Sequence, residues 1–183
     1  MTLAFLAVGD EILCGETREG NGHTLAQKLS RRGLVLAGWR VVSDARPAVI
    51  QVSRELASAH RLVVVSGGLG PTDDDDTRSA IAEAAGRELL RDAAVADELA
   101  RRYADRGRPF GPENDRQAWF PRDAEVLVNR GGSAPGFVVP VAGGLVACLP
   151  GVPREFAAML DEHLDRLLAA AGVVATKQVE RTL

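Results

Sequence analysis

Two runs of apolar residues constrain this chain more than anything else in it. "LAFLAV" (3–8) is apolar at every position, and "RLVVVS" (61–66) nearly so. Runs this short cannot span a bilayer as helices, and strands apolar on both faces need cover on both faces. The segments between and after them supply that cover. "NGHTLAQKLSRRG" (21–33) sets Leu25 and Leu29 at i, i+4 and stops at Gly33. "RPAVIQVSRELASAH" (46–60) puts Val49, Val52 and Leu56 on one helical face, with Pro47 in the first turn. "LVLAGWRVV" (34–42) reads as a strand bulged at Gly38, and "DDDDTRSAIAEAAGR" (73–87) as a third helix. A β-α-β-α-β-α opening predicts a parallel sheet between helical layers.

The second half is less regular. From 88 to 122 the pattern is polar and helical, with Val95, Leu99 and Tyr103 in step, a break at "RGRPFGPEN" and a short helix near "DRQAWF". "AEVLVN" (124–129) reads as a strand, and "GFVVPVAGGLVACLP" (136–150) as a hairpin turning at Gly143-Gly144. "VPREFAAMLDEHLDRLLAAAG" (152–172) is an amphipathic closing helix. The fold class expected is a three-layer α/β/α sandwich with a mostly parallel, mixed sheet. Residues 1–172 form its one domain, and 173–183 are a tail with no firm assignment.

With 183 residues, 46% of them apolar, the chain can bury an ordinary core. Its net charge of −3 does not favour nucleic acid or an anionic membrane as a partner. Cys14 and Cys148 lack metal or redox spacing and read as buried thiols of a reducing, cytoplasmic protein. His23, His60 and His163 lack ligand spacing, and Trp39 and Trp119 read as core or interface residues.

Open α/β sheets bind ligands beyond the carboxyl ends of their strands. Four loops expected there are loaded with chemistry: "GDEILCGE", "SGGLGPTDDDDT", "GGSAPG" and "LPGVPRE". In the second, Gly67, Gly68 and Gly70 allow a tight turn that offers N–H groups to an anion. It is neither a dinucleotide fingerprint nor a Walker loop. The aspartates at 73–76 have two readings. Thr72 or Asp73 could cap the following helix, with acids in its first turn. That leaves four adjacent like charges poorly explained. The other reading is a divalent cation held by one or two of Asp73 to Asp76, with phosphate oxygens completing its shell. Asp10 and Glu11 after the first strand, and Asp44 after the second, are either turn residues or parts of the same site. Ser133 and the glycines around it, among them Gly136, suit close approach of a ligand. Arg154, at a helix N-terminus, suits an anion.

The stretches "GDEILCGE", "SGGLGPTDDDDTR", "ENDRQAWFP", "GGSAPGF" and "LPGVPREFAAM" together, and in order, resemble the N-terminal domain of the CinA family, a molybdenum-cofactor-biosynthesis type of domain related to MogA and MoaB. The resemblance covers about residues 1 to 165. It implies an oligomer and a metal-dependent pyrophosphatase acting on ADP-ribose or a related dinucleotide. Magnesium or cobalt would be the metal, with potassium as helper. The pterin-handling relatives imply an alternative, a molybdopterin-binding or adenylyl-transfer protein. A third is a nucleotide- or pterin-binding domain without turnover.

Carried onto this sequence, the family's two carboxylates fall at Asp44 and Asp75. Asp74 and Asp75 would hold the metal, and Asp10 or Asp44 would orient water. Gly67, Gly68, Gly70, Thr72, Asn21, Ser133, Gly136 and Arg154 would contact the substrate. The chain departs from the family where Glu19-Gly20-Asn21 replaces Asp-Thr-Asn, with only the Asn kept. Ala45 replaces a second Asp, and Asp76 an apolar residue. The tail would begin the continuation that carries an amidase domain in the family, so no amidase activity is expected of this chain.

Overall fold

The computed structural model describes residues 3–173. The tail expected at 173–183 lies outside them except for Val173. One six-stranded sheet carries the fold. Its strands are β1 (Leu3–Val8), β2 (Gly38–Val42), β3 (Leu62–Ser66), β6 (Glu125–Leu127), β7 (Gly136–Val141) and β8 (Gly144–Leu149). They lie side by side in the order β2-β1-β3-β8-β7-β6. The first three and β8 run parallel, while β7 is antiparallel to both of its neighbours. The sheet is therefore mixed and mostly parallel, as expected.

The period-two geometry of a strand divides the core. Leu6, Val63, Val65 and Cys148 face one way, onto α3 (Arg46–Ala59) and α4 (Thr77–Ala84) through Val49, Leu56 and Ile81. Phe5, Val64, Ala147 and Leu149 face the other way, onto α2 (Asn21–Ser30) and α7 (Pro153–Ala170) through Leu25, Leu29, Phe156 and Leu160. Each face of β1 and β3 is sealed, which explains why those runs carry no polar alternation.

A small appendage follows α4. It holds β4 (Leu89–Arg91) paired with β5 (Trp119–Pro121), α5 (Ala93–Asp105), α6 (Pro112–Asp115) and a 3-10 turn at Arg116–Ala118. Leu99, Ala96 and Ala118 form its own cluster. Asp92 caps α5 by accepting from the Val95 N–H at 3.0 Å.

Several boundaries differ from those expected. The second strand starts at Gly38 rather than 34. The hairpin turns on Ala142 and Gly143, both at positive φ, while Gly144 already lies in β8 beneath the carbonyls of Ala57 and His60. The fourth helix starts at Thr77, so the aspartates at 73–75 precede it, with Asp76 at the N-cap and no acid in its first turn. Cys14 is exposed, not buried, because the short helix α1 (Asp10–Leu13) and its exit turn lie outside the helical layers. Among the described residues no helix is long and apolar enough to cross a membrane.

Candidate functional site

Because β1 and β3 are neighbours, with Ala7 paired to Ser66, the loops that follow them emerge side by side. The loop after β8 joins them, since Ser66 pairs with Leu149. Together they floor a cleft of about 710 Å³ at the carboxyl end of the sheet.

The glycine turn forms one wall. Gly67 has φ +108, and a Cβ there would be driven into the Val8 carbonyl. Its N–H donates to Leu149 O at 3.2 Å, which pins the turn to the next strand. Gly68, Leu69 and Gly70 line the cleft, and their N–H groups have no acceptor among the described residues. Free N–H groups on such a turn form an anion cradle. Arg78 holds the turn from behind. It is buried and donates to Leu69 O at 2.8 Å and to Pro135 O at 3.2 Å. Burial pulls its pKa down to about 10, so it stays cationic at neutral pH.

The four aspartates part company. Asp73 pairs with Arg116 at 2.6 Å, and Asp76 forms a fork with Arg46 at 2.7 and 3.2 Å. Asp75 turns back on its own loop and accepts from the Thr72 N–H at 3.0 Å and from the Thr72 hydroxyl. Asp74 has no partner among the described residues and lines the cleft with Asp75. Helix capping therefore accounts for none of the side chains, and only two of the four face the cleft.

Asp10, Glu11 and Asp44 line the same cleft. The Asp10 N–H donates to Asp44 Oδ2 at 2.8 Å. The Asp44 carboxyl is nevertheless held above the ordinary aspartate range. Burial is the main cause; the hydrogen bond from Asp10 opposes it, and the charges of Asp10, Glu11 and Asp74 add to it. Seven carboxylates (Asp10, Glu11, Glu19, Asp44, Asp74, Asp75 and Glu155) and a single basic side chain, Arg18, line the cleft, so its side chains carry an excess of negative charge. Among the described residues no three Asp, Glu, His or Cys side chains are already gathered as a metal site. The donor chemistry fits a hard cation that takes one or two carboxylates from the protein and further oxygens from its ligand. Asp74 is a cleft carboxylate left without a partner among the described residues and Asp75 accepts from Thr72, whereas Asp73 and Asp76 are committed to arginines.

The cleft thus gathers Asp10, Asp44, Asp74 and Asp75. Asn21, Gly67, Gly68, Gly70 and Ser133 line it as well. Thr72, Gly136 and Arg154 lie outside its lining. Thr72 faces Asp75, Gly136 is packed beneath the Cys148 carbonyl, and Arg154 is exposed on α7. Asn21 is clamped: its amide donates to Ser66 Oγ and Gly151 O, each at 2.8 Å. Glu19 caps α2 by accepting from the N–H groups of Asn21 at 2.6 Å and Gly22 at 2.9 Å. Glu19, in the stretch that departs from the family pattern, therefore supplies a helix-capping carboxylate. Arg18, Gln117 and Glu155 are cleft residues that the motifs did not single out. Each lies within or beside a quoted stretch, but only the fold turns it inward.

Comparison with known proteins agrees with this architecture. Residues 4–170 match the family described as probable molybdopterin binding domain. A CinA-like protein of Anaeromyxobacter dehalogenans (strain 2CP-1 / ATCC BAA-258) is 43% identical over 95% of this chain and 44% of its own length. One from Myxococcus xanthus (strain DK1622) is 44% identical over 92% of this chain and 40% of its own. The chain thus spans less than half the length of these curated relatives. The crystal structure of CinA from Thermoplasma acidophilum superposes with a TM-score of 0.84 at 31% identity, covering 91% of this chain and 97% of that one. The molybdopterin biosynthesis enzyme MoaB of Thermus thermophilus gives 0.65 at 22% identity, covering 98% and 99%, a likeness of fold.

Proposed function

This chain belongs to the family of probable molybdopterin binding domains, in a branch shared with CinA-like proteins, and on that premise we propose that its cleft binds a phosphate-bearing pterin of the molybdopterin class. The free N–H groups of Gly68, Leu69 and Gly70 carry this reading. They are suited to the phosphate, and the cleft carboxylates would suit a divalent cation that offsets its charge. Magnesium and cobalt are the cations proposed. Bound there, such a cation would offset the negative charge shared by ligand and carboxylates. Asn21, Ser66 and Gly151 hold the floor rigid, and Arg78 fixes the turn from behind.

The test is equilibrium binding of a fluorescent pterin monophosphate, first in EDTA and then with magnesium or cobalt. Metal-dependent retention supports the reading. No binding under either condition overturns it.

A second reading, hydrolysis of ADP-ribose or a related dinucleotide pyrophosphate, is favoured by one observation. Asp44 is a cleft carboxylate whose proton affinity is raised and whose orientation is fixed by the Asp10 N–H. Such a group can orient a water and accept its proton. Release of AMP from ADP-ribose with added cobalt would support it. Pterin binding without any AMP release would leave the first reading alone.

A further inference from the structure

Buried polar groups in folded proteins are almost always hydrogen-bonded, and each exception calls for a cause. In this molecule three exceptions border one cleft. Gln117 is 1% exposed, and neither its amide oxygen nor its amide nitrogen has a partner among the described residues. Asn21 Oδ1 and Glu19 Oε2 are likewise buried without partners. All three residues line the cleft described above. For Asn21 and Glu19 the remaining polar atoms have structural duties, so the orphan atom is a by-product of clamping and capping. Gln117 has no such duty. It sits in the 3-10 turn at Arg116–Ala118, and its whole carboxamide is idle. Its neighbours define its role by contrast: Arg116 is paired with Asp73, and Ala118 is fully buried in the appendage core. An apolar side chain of the same length would serve packing better, because burying an amide without partners costs stability.

We propose that Gln117 is the specificity-determining contact for the heterocyclic end of the ligand, resting on the reading of the cleft as a phosphate-bearing heterocycle site. A side-chain rotation turns the carboxamide toward the cleft it lines. There its N–H donors and its oxygen pair with an adjacent acceptor and donor on the ring edge. The ligand class is a heteroaromatic with a lactam or amino-imino edge. A pterin and an adenine both present one, and the glycine turn holds the phosphate end in either case. The cleft carboxylates supply acceptors only, so this neutral donor–acceptor pair can tell such an edge from a plain sugar phosphate.

Gln117→Met keeps length and volume and removes both polar atoms. With magnesium present, the affinity of the wild-type protein and the variant is measured for a pterin monophosphate, ADP-ribose and inorganic pyrophosphate. The variant should lose about tenfold or more toward the ring-bearing ligand that the wild type prefers, and none toward pyrophosphate. Its unliganded Tm should rise, since an orphaned amide has been replaced by an apolar group. A residue with a merely structural role would give a lower Tm and equal losses for all three ligands. Gln117→Leu, which is neutral and also lacks both polar atoms, carries the same affinity comparison if the Met variant fails to fold. Equal affinity of wild type and variant for the ring-bearing ligands overturns the assignment of Gln117 alone. Failure of the wild type to bind either ring-bearing ligand overturns the reading of the cleft, and this assignment with it. The ligand that is bound, pterin or ADP-ribose, identifies the ring.

Discussion

The backbone N–H of Asp10 points at the carboxylate of Asp44 from 2.8 Å, across two loops that leave neighbouring strands. Beside it the Gly9 N–H donates to Val42 O at 3.1 Å. The two contacts fix Asp44 against the acidic wall instead of letting it turn to solvent. Position outweighs the hydrogen bond here, since burial and the neighbouring charges leave the carboxyl harder to ionise than an ordinary aspartate.

The first prediction follows from that imbalance. Asp44 holds its proton more tightly in the folded than in the unfolded chain. Its contribution to stability is fully present below the ordinary aspartate range and is lost as pH rises through the raised folded value. Asn keeps an acceptor for the Asp10 N–H and has no charge to bury. Asp44→Asn should therefore melt at a higher temperature than the wild type at about pH 7, with the difference closing toward about pH 3, where Asp44 is protonated in both states. Thermal melts of both proteins across that range decide it. A variant less stable at neutral pH would mean that the hydrogen bond outweighs the burial.

The second prediction separates the four aspartates. Asp73→Asn and Asp76→Asn each remove one partly exposed ion pair, with Arg116 and Arg46 respectively. Each should cost less than about 1 kcal/mol and leave metal-dependent ligand binding intact. Asp74→Asn breaks no ion pair and should barely move the Tm, yet it should abolish the gain in affinity that magnesium or cobalt brings. Calorimetry with and without EDTA reads this directly. Metal-dependent binding that survives in Asp74→Asn would move the cation to the Asp10 and Asp44 side.

How far these roles were legible in the sequence differs from residue to residue. "LAFLAV" and "RLVVVS" announced their burial because a two-sided strand has no polar alternation to confuse it. The adjacency of their loops, and so the cleft, followed from the topology. The fate of the aspartates was hidden, because Arg46 and Arg116 lie far from Asp76 and Asp73 along the chain. The helix begins at Thr77, later than its composition suggests. β4 and β5 have three residues each, too few to show a period. Gln117 is silent in the sequence, since its burial comes from the packing of an irregular appendage and not from any local pattern.

The third prediction contrasts two glycines of one turn. At Gly67 the backbone has φ +108 and a Cβ would meet the Val8 carbonyl, so neither side can yield. Gly67→Ala should lower stability by about 1–3 kcal/mol, in line with other strained backbone positions. At Gly70 the obstacle is the carboxylate of Asp75, a side chain that can move away. Gly70→Ala should leave the Tm nearly unchanged and weaken ligand binding by moving Asp75 from its place in the cleft lining. Chemical denaturation and ligand titration of the two variants should therefore rank them in opposite orders.

The last prediction concerns the residue behind the turn. Arg78 is 4% exposed, and its guanidinium is 5.9 Å from the centre of the Phe120 ring. Its hydrogen-bond acceptors are two carbonyls, Leu69 O in the glycine turn and Pro135 O in the loop after Ser133. One planar cation thus bridges two walls of the cleft. Arg78→Met retains much of the packing and removes the cost of a buried charge, but it strands both carbonyls. The balance should be a loss of about 1–3 kcal/mol, since the penalty for unpaired buried acceptors is only partly offset by the relief of desolvation. Lys should rescue little, because one ammonium on a flexible stem is a poor match for a fork-shaped pair of acceptors. The sharper readout is local. Amide exchange should quicken in both 67–72 and 132–136 in the Met variant, and ligand affinity should fall with it. If exchange rises in one loop only, Arg78 supports that loop and the two walls are held together by something else.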